Sequence, residues 1–130
     1  MPWWQTVLGP LGPDRPDTLY IRHELAVWAM RAGDIPGARH LILDVVADRV
    51  RVLGVDHPET MRSRHRFAQW TGHIGDRNAA VGLFANLVSD RARVLGSDHR
   101  ETRASQRQLD CWTTHTDPAA DTPEDYWSPE

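Results

Sequence analysis

The side chains best suited to chemistry in this 130-residue chain are one cysteine and seven histidines. Cys111 and His115 stand four residues apart, a spacing that puts both on one face of a helix. Such a pair could act as thiolate and imidazole in nucleophilic catalysis. Catalysis would also need oxyanion donors and a third group to orient the base, and no motif supplies them. His65, Gln69 and His73 also share a face, and His23 and His115 extend them into a metal-like set. A zinc site needs its ligands to converge at about 2 Å from one point. Side chains on neighbouring helices, whose axes lie about 8–10 Å apart, rarely do so. No metal and no cofactor is therefore expected, and no enzyme; Cys111 with His115 is the catalytic alternative. Neither a phosphate-cradling glycine loop nor a dinucleotide fingerprint is present.

The composition narrows the classes further. The chain is 40% hydrophobic and 25% charged, with a formal net charge of -3. No stretch approaches the roughly 20 apolar residues of a membrane span. Met1 to Leu8 has neither the basic segment nor the apolar run of a signal peptide. With one cysteine, no internal disulfide can form, which fits a reducing, cytoplasmic setting. All 15 basic residues are arginine. That bias points to GC-rich codons and a bacterial genome. The negative charge and the lack of a basic cluster argue against nucleic acid.

The elements that must position these residues emerge from a repeat. Leu11-Gly12-Pro13-Asp14-Arg15-Pro16-Asp17-Thr18 returns as Leu53-Gly54-Val55-Asp56-His57-Pro58-Glu59-Thr60, and again from Leu95 to Thr102, 42 residues apart each time. Residues 11–52 and 53–94 share 18 of 42 positions without a gap, and 95–115 shares 10 of 21 with 53–73. Each unit reads as two helices. Pro16 and Pro58 suit a first helical turn, where a missing donor costs nothing. Leu19, Leu25, Ala26 and Ala29 form the apolar stripe of the first helix, which Gly33 ends. Ala38, Leu41, Ile42, Val45, Val46 and Val52 mark a second helix from about Pro36 to Leu53. The expectation is an all-α chain of five main helices, two and a half hairpins.

The repeated Leu-Gly-x-Asp-His-Pro-x-Thr turn, the Leu25-Ala26 and Phe67-Ala68 pairs, Gly33-Asp34, Gly75-Asp76, Ala38 and Ala80 resemble the tetratricopeptide repeat. The form is the long, kinesin-light-chain-like one of bacterial relatives. The resemblance covers residues 11–115. It leaves 1–10 as an N-terminal cap or extension and 116–130 as an acidic tail. It implies a short right-handed superhelical solenoid whose first helices line a concave groove that binds a peptide or protein partner. Relatives often carry asparagine before the Leu-Ala pair as a backbone clamp; Glu24, Arg66 and Gln108 stand there instead.

The groove so implied is lined by Tyr20, His23, Glu24, Val27 and Arg31 from the first unit. Arg62, His65, Arg66, Gln69 and His73 come from the second, and Arg107, Gln108, Cys111 and His115 from the last helix. It is basic and rich in histidine, which favours an acidic ligand. Arg31, Arg62, Arg66 and Arg107 are the expected anion anchors, Tyr20 and Val27 the apolar contacts. His23, His65 and His73 would strengthen binding of acids below about pH 6.5. The tail holds Asp117, Asp121, Glu124, Asp125 and Glu130, with Tyr126 and Trp127. It either folds onto this groove as an autoinhibitory mimic or stays disordered. Trp28, Trp70 and Trp112 occupy one repeat position and are expected to fill the gaps between hairpins. Trp3-Trp4 would cover the open edge of the first helix or form a dimer contact. The alternative to partner binding is a structural piece that joins its open ends into a homodimer. A small-molecule site in the groove is the third possibility.

Overall fold

The computed structural model describes residues 15–114. They form five helices and, among the described residues, no strand. α1 spans Pro16–Arg31, α2 Ile35–Leu53, α3 Pro58–Ile74, α4 Arg77–Leu95 and α5 Arg100–Thr114. Each packs on the next in sequence, and α3 also touches α5. The chain is thus a stack of antiparallel hairpins, α1–α2 and α3–α4, with α5 opening a third. The extension 1–10, the tail 116–130 and His115 lie outside the described residues. No described helix is long and apolar enough to cross a membrane.

Local chemistry fixes the helix ends. Asp34 Oδ1 accepts from the Gly37 N–H at 3.0 Å, and Asp76 Oδ1 from that of Ala79 at 3.1 Å. Each satisfies a donor that a helix start would otherwise leave orphaned. His57 and His99 act likewise, their Nδ1 atoms accepting from Glu59 and Glu101 N–H at 3.1 and 3.0 Å. These loop histidines therefore serve the turn, as their repetition implies. At the other ends Gly33, Gly54, Gly75 and Gly96 all take positive φ, from 95° to 114°, where a Cβ would be strained.

Two apolar cores follow the repeat. Ala26, Val27, Met30, Ala38, Ile42 and Val45 of the first hairpin enclose Trp70 of the second. Met61, Ala68, Ala80, Phe84 and Leu87 of the second enclose Trp112 of α5. Trp70 and Trp112 are 2% and 5% exposed, so both fill the gap between hairpins as expected. Gly72 makes the second fit possible, because a Cβ there would collide with the Trp112 indole. Trp28, at the same repeat position, departs from the expectation and is 56% exposed. It belongs to the first described hairpin, and no described hairpin precedes it to receive the ring.

Candidate partner-binding face

The residues expected to line one groove divide into three groups. Tyr20, Arg31 and Arg107 are exposed, and the Arg31 guanidinium lies over the Trp28 ring, 4.8 Å from its centroid. Glu24, Arg62, His65 and His73 are half-buried. Arg62 reaches back one turn to Glu59, Nη2 to Oε2 at 3.2 Å. His65 packs edge-on against Phe84 with centroids 5.2 Å apart, and His73 against Trp112 at 5.5 Å. His23, Val27, Arg66, Gln69, Gln108 and Cys111 are buried. Val27 belongs to the first core, and Arg66 Nη1 donates to Gln69 Oε1 at 3.3 Å. The structure therefore does not gather all of these residues into one open lining. His23 in particular, at 0% exposure, cannot meet a ligand as it stands.

What His23 does instead is join the hairpins. Its Nδ1 lies 2.9 Å from Ser63 Oγ on α3. Arg49, near the end of α2, donates through Nη1 to the same hydroxyl at 2.9 Å and to the Glu59 carbonyl at 2.7 Å. Its Nη2 stands 3.5 Å from the Glu59 carboxylate. The arrangement recurs one period later. His65 Nδ1 lies 3.0 Å from Ser105 Oγ, and Arg91 donates to Ser105 Oγ at 2.8 Å and to the Glu101 carbonyl at 3.0 Å. Arg49 and Arg91 are 1% and 3% exposed. A guanidinium so deep is tolerable only with acceptors on its fork and an acid nearby. None of Arg49, Arg91, Ser63, Ser105, Glu59 or Glu101 stands out by chemistry in the sequence. Their one signal is identity at the 42-residue spacing.

Other arginines are also committed internally. Arg22 pairs with Asp48 at 2.7 Å within the first hairpin, and Arg64 with Asp90 at 2.8 Å within the second. Arg39 donates to Thr71 Oγ1 at 3.0 Å and Arg77 to the Trp112 carbonyl at 2.7 Å. At the surface, Arg93 grips Asp56 with two bonds, 3.0 and 2.7 Å. Those bonds, with the charge of Arg93 and of Arg64 behind them, hold the Asp56 carboxyl below its ordinary range. Among the described residues no cluster of three His, Cys, Asp or Glu could hold a metal ion. Cys111 is buried and forms no disulfide.

Residues 18–59 and again 60–101, two stretches of one 42-residue period, match a family model described as tetratricopeptide repeat. The chain belongs to the tetratricopeptide repeat family. Its fold also matches a solved structure of nearly identical, kinesin-light-chain-like repeats from Podosopora anserina. There the TM-score is 0.78 at 27% identity, covering 89% of this chain and 56% of that one. A point variant of the same protein gives 0.78 at 28%, covering 89% and 55%. The chain thus spans just over half the length of those arrays. No curated protein matches it in sequence. The all-α solenoid inferred from the repeat is the fold observed, and a protein-interaction module is the role the family suggests.

Proposed function

We propose that this solenoid holds an acidic segment of a partner protein against the face carried by α1, α3 and α5. One observation carries the proposal. Most arginines of the hairpins are bonded to the protein's own carbonyls and carboxylates, whereas Arg31 on α1 and Arg107 on α5 are exposed to solvent. Arg62 adds a partly exposed cation beside Glu59, and Tyr20, 45% exposed, an aromatic surface. Cations presented on a low-dielectric wall attract acidic ligands and speed their encounter. The contact set is accordingly narrower than the sequence implies: Tyr20, Arg31, Arg62, His73 and Arg107, with Glu24 as the one acid. His23, His65, Arg66 and Gln108 support that face from behind. The buried Cys111 thiol favours binding over catalysis, because a nucleophile needs access to its substrate. A single cysteine also suits a cytoplasmic setting.

The chain's own residues 117–130, with five acids and no base, are the proposed first ligand and an autoinhibitory one. A labelled peptide of that sequence, added to a chain ending at residue 116, tests this by fluorescence anisotropy. Arg31→Glu with Arg107→Glu should weaken binding about tenfold or more. Raising salt towards 1 M should weaken it further, as screening shortens to about 3 Å. An affinity unchanged by the double reversal would overturn the proposal.

A further inference from the structure

α3 and α5 are each covered on one face by the second helix of the hairpin before. α2 meets Ser63 and Trp70 of α3, and α4 meets Ser105 and Trp112 of α5. Arg49, late in α2, bonds Ser63 early in α3, and Arg39, early in α2, bonds Thr71 late in α3. The covering helix therefore runs antiparallel to the helix it covers. On α1 the positions of Ser63 and Trp70 are Ile21 and Trp28, exposed at 36% and 56%. Half-buried Leu25 lies between them. The buried face of α3 is thus, on α1, an exposed apolar one.

The two ends of that face carry opposite charges. Asp17 stands in the first turn of α1 and Arg31 in the last, both exposed. They lie about four helical turns apart, which keeps them on the side of Ile21 and Trp28. The Arg31 guanidinium already leans over the Trp28 ring. We propose that α1 is a self-association surface, on which two copies of this chain pair across a two-fold axis with their α1 helices antiparallel. Ile21 and Trp28 are placed symmetrically about the middle of α1, and so are Asp17 and Arg31. One axis therefore sets Ile21 on the partner's Trp28 and Asp17 beside the partner's Arg31. Each contact is made twice by the same residues, as a two-fold interface requires. The pairing also gives α1 a neighbour that runs in the direction α2 runs along α3. It brings the two Glu24 side chains towards the axis, a like-charge cost. One helix pair is also smaller than a standard interface of roughly 1,200–2,000 Å². The dimer is therefore weak and reversible. Arg31 is common to this surface and to the acidic-ligand reading, whereas Asp17, Ile21 and Trp28 belong to this one alone, so either can fail while the other stands.

The test is sedimentation equilibrium of the full chain, whose mass should rise from 14.8 kDa towards twice that with concentration. Trp28→Ala should weaken the dimer about tenfold or more. Asp17→Arg and Arg31→Asp each bring like charges together at both ends of the pair, and each should weaken it about tenfold. Mixed in equal amounts, these two variants set opposite charges at both ends and should associate with each other as well as the natural chain does. That recovery would also show that both variants fold. A mixture that associates no better than its separate parts would overturn the proposal, as would a dimer indifferent to Trp28→Ala. A natural chain that stays monomeric throughout would overturn it too, and would leave the face to the residues preceding α1 or to another protein.

Discussion

The first and last described helices of this solenoid share their repeat positions and present opposite surfaces. At the N-terminal end α1 presents Tyr20, Ile21 and Trp28, all exposed. At the C-terminal end α5 lacks a described second helix, and the face that would receive one is polar. Leu19 and Met61, both fully buried, become the exposed Arg103. Ala26 and Ala68 become Asp110, and the ion-paired Arg22 and Arg64 become Gln106. Gln106 Nε2 donates to Asp110 Oδ1 at 2.9 Å, closing that surface on itself. A repeat stack needs a polar outer face where it stops. α5 carries that face in its own sequence, whereas α1 is finished as if something still packs on it. Among the described residues, one repeat template thus presents an apolar exposed surface on α1 and a polar one on α5.

The strongest way to break this comparison is to remove equivalent tryptophans. Trp70→Ala and Trp112→Ala should each cost about 3–5 kcal/mol, the range for emptying a core site of an aromatic ring. Trp28→Ala should cost less than half as much. Urea midpoints of the three variants check this, and equal losses would mean that α1 is no more open than α3. Gly72→Ala should destabilise by about 1–3 kcal/mol through overpacking against Trp112.

Next in size come the junctions behind the binding face. Arg49→Ala or Arg91→Ala should cost about 3 kcal/mol, since either removes a buried guanidinium that bonds both a serine hydroxyl and a helix carbonyl of the next hairpin. Ser63→Ala should cost about 1–2 kcal/mol. Calorimetry on the three variants ranks them, and losses near zero would demote the seam to incidental contact.

These junctions also mark the boundary of what the sequence makes legible. The period, the five helices, their glycine stops and the packing of Trp70 and Trp112 can all be read from spacing and apolar pattern. His23 and Arg66 cannot be placed that way. A histidine or arginine on a polar stripe looks like solvent-facing charge; His23 is held inside by Ser63 of the next hairpin, 40 residues away, and Arg66 bonds Gln69 on its own helix. Hydropathy within one helix carries no information about that partner. The recurrence of His23, Arg49 and Ser63 as His65, Arg91 and Ser105 is the trace that was available. Of the residues the sequence assigns to a groove, the structure leaves Tyr20, Arg31 and Arg107 exposed and buries His23, Val27, Arg66, Gln69, Gln108 and Cys111.

The C-terminal end gives a subtler test. Arg103→Leu, Gln106→Leu and Asp110→Ala together should shift stability by under about 1 kcal/mol, because the affected side chains are exposed. They should, however, create an apolar patch prone to pairing. Light scattering after size exclusion should report association of the triple variant at concentrations where the natural chain shows none.

The smallest effect expected is a pH dependence at the surface pair. Arg93 holds the Asp56 carboxyl below its ordinary value. A carboxyl depressed in the folded state stabilises at pH values above its unfolded pKa and loses that contribution as pH falls through the folded one. The urea midpoint should thus fall slightly further between pH 6 and 3 for the natural chain than for Asp56→Asn, and 1 M salt should shrink the difference.

On the proposed function, α1, α3 and α5 present the contact face. It is tested most directly by nuclear magnetic resonance on isotopically labelled chain ending at residue 116, titrated with the peptide of residues 117–130. Amide shifts should concentrate at Tyr20, Arg31, Arg62 and Arg107 and saturate together. Shifts confined to the exposed second-helix residues Leu43, Val50 and Val94, or none at all, would contradict it.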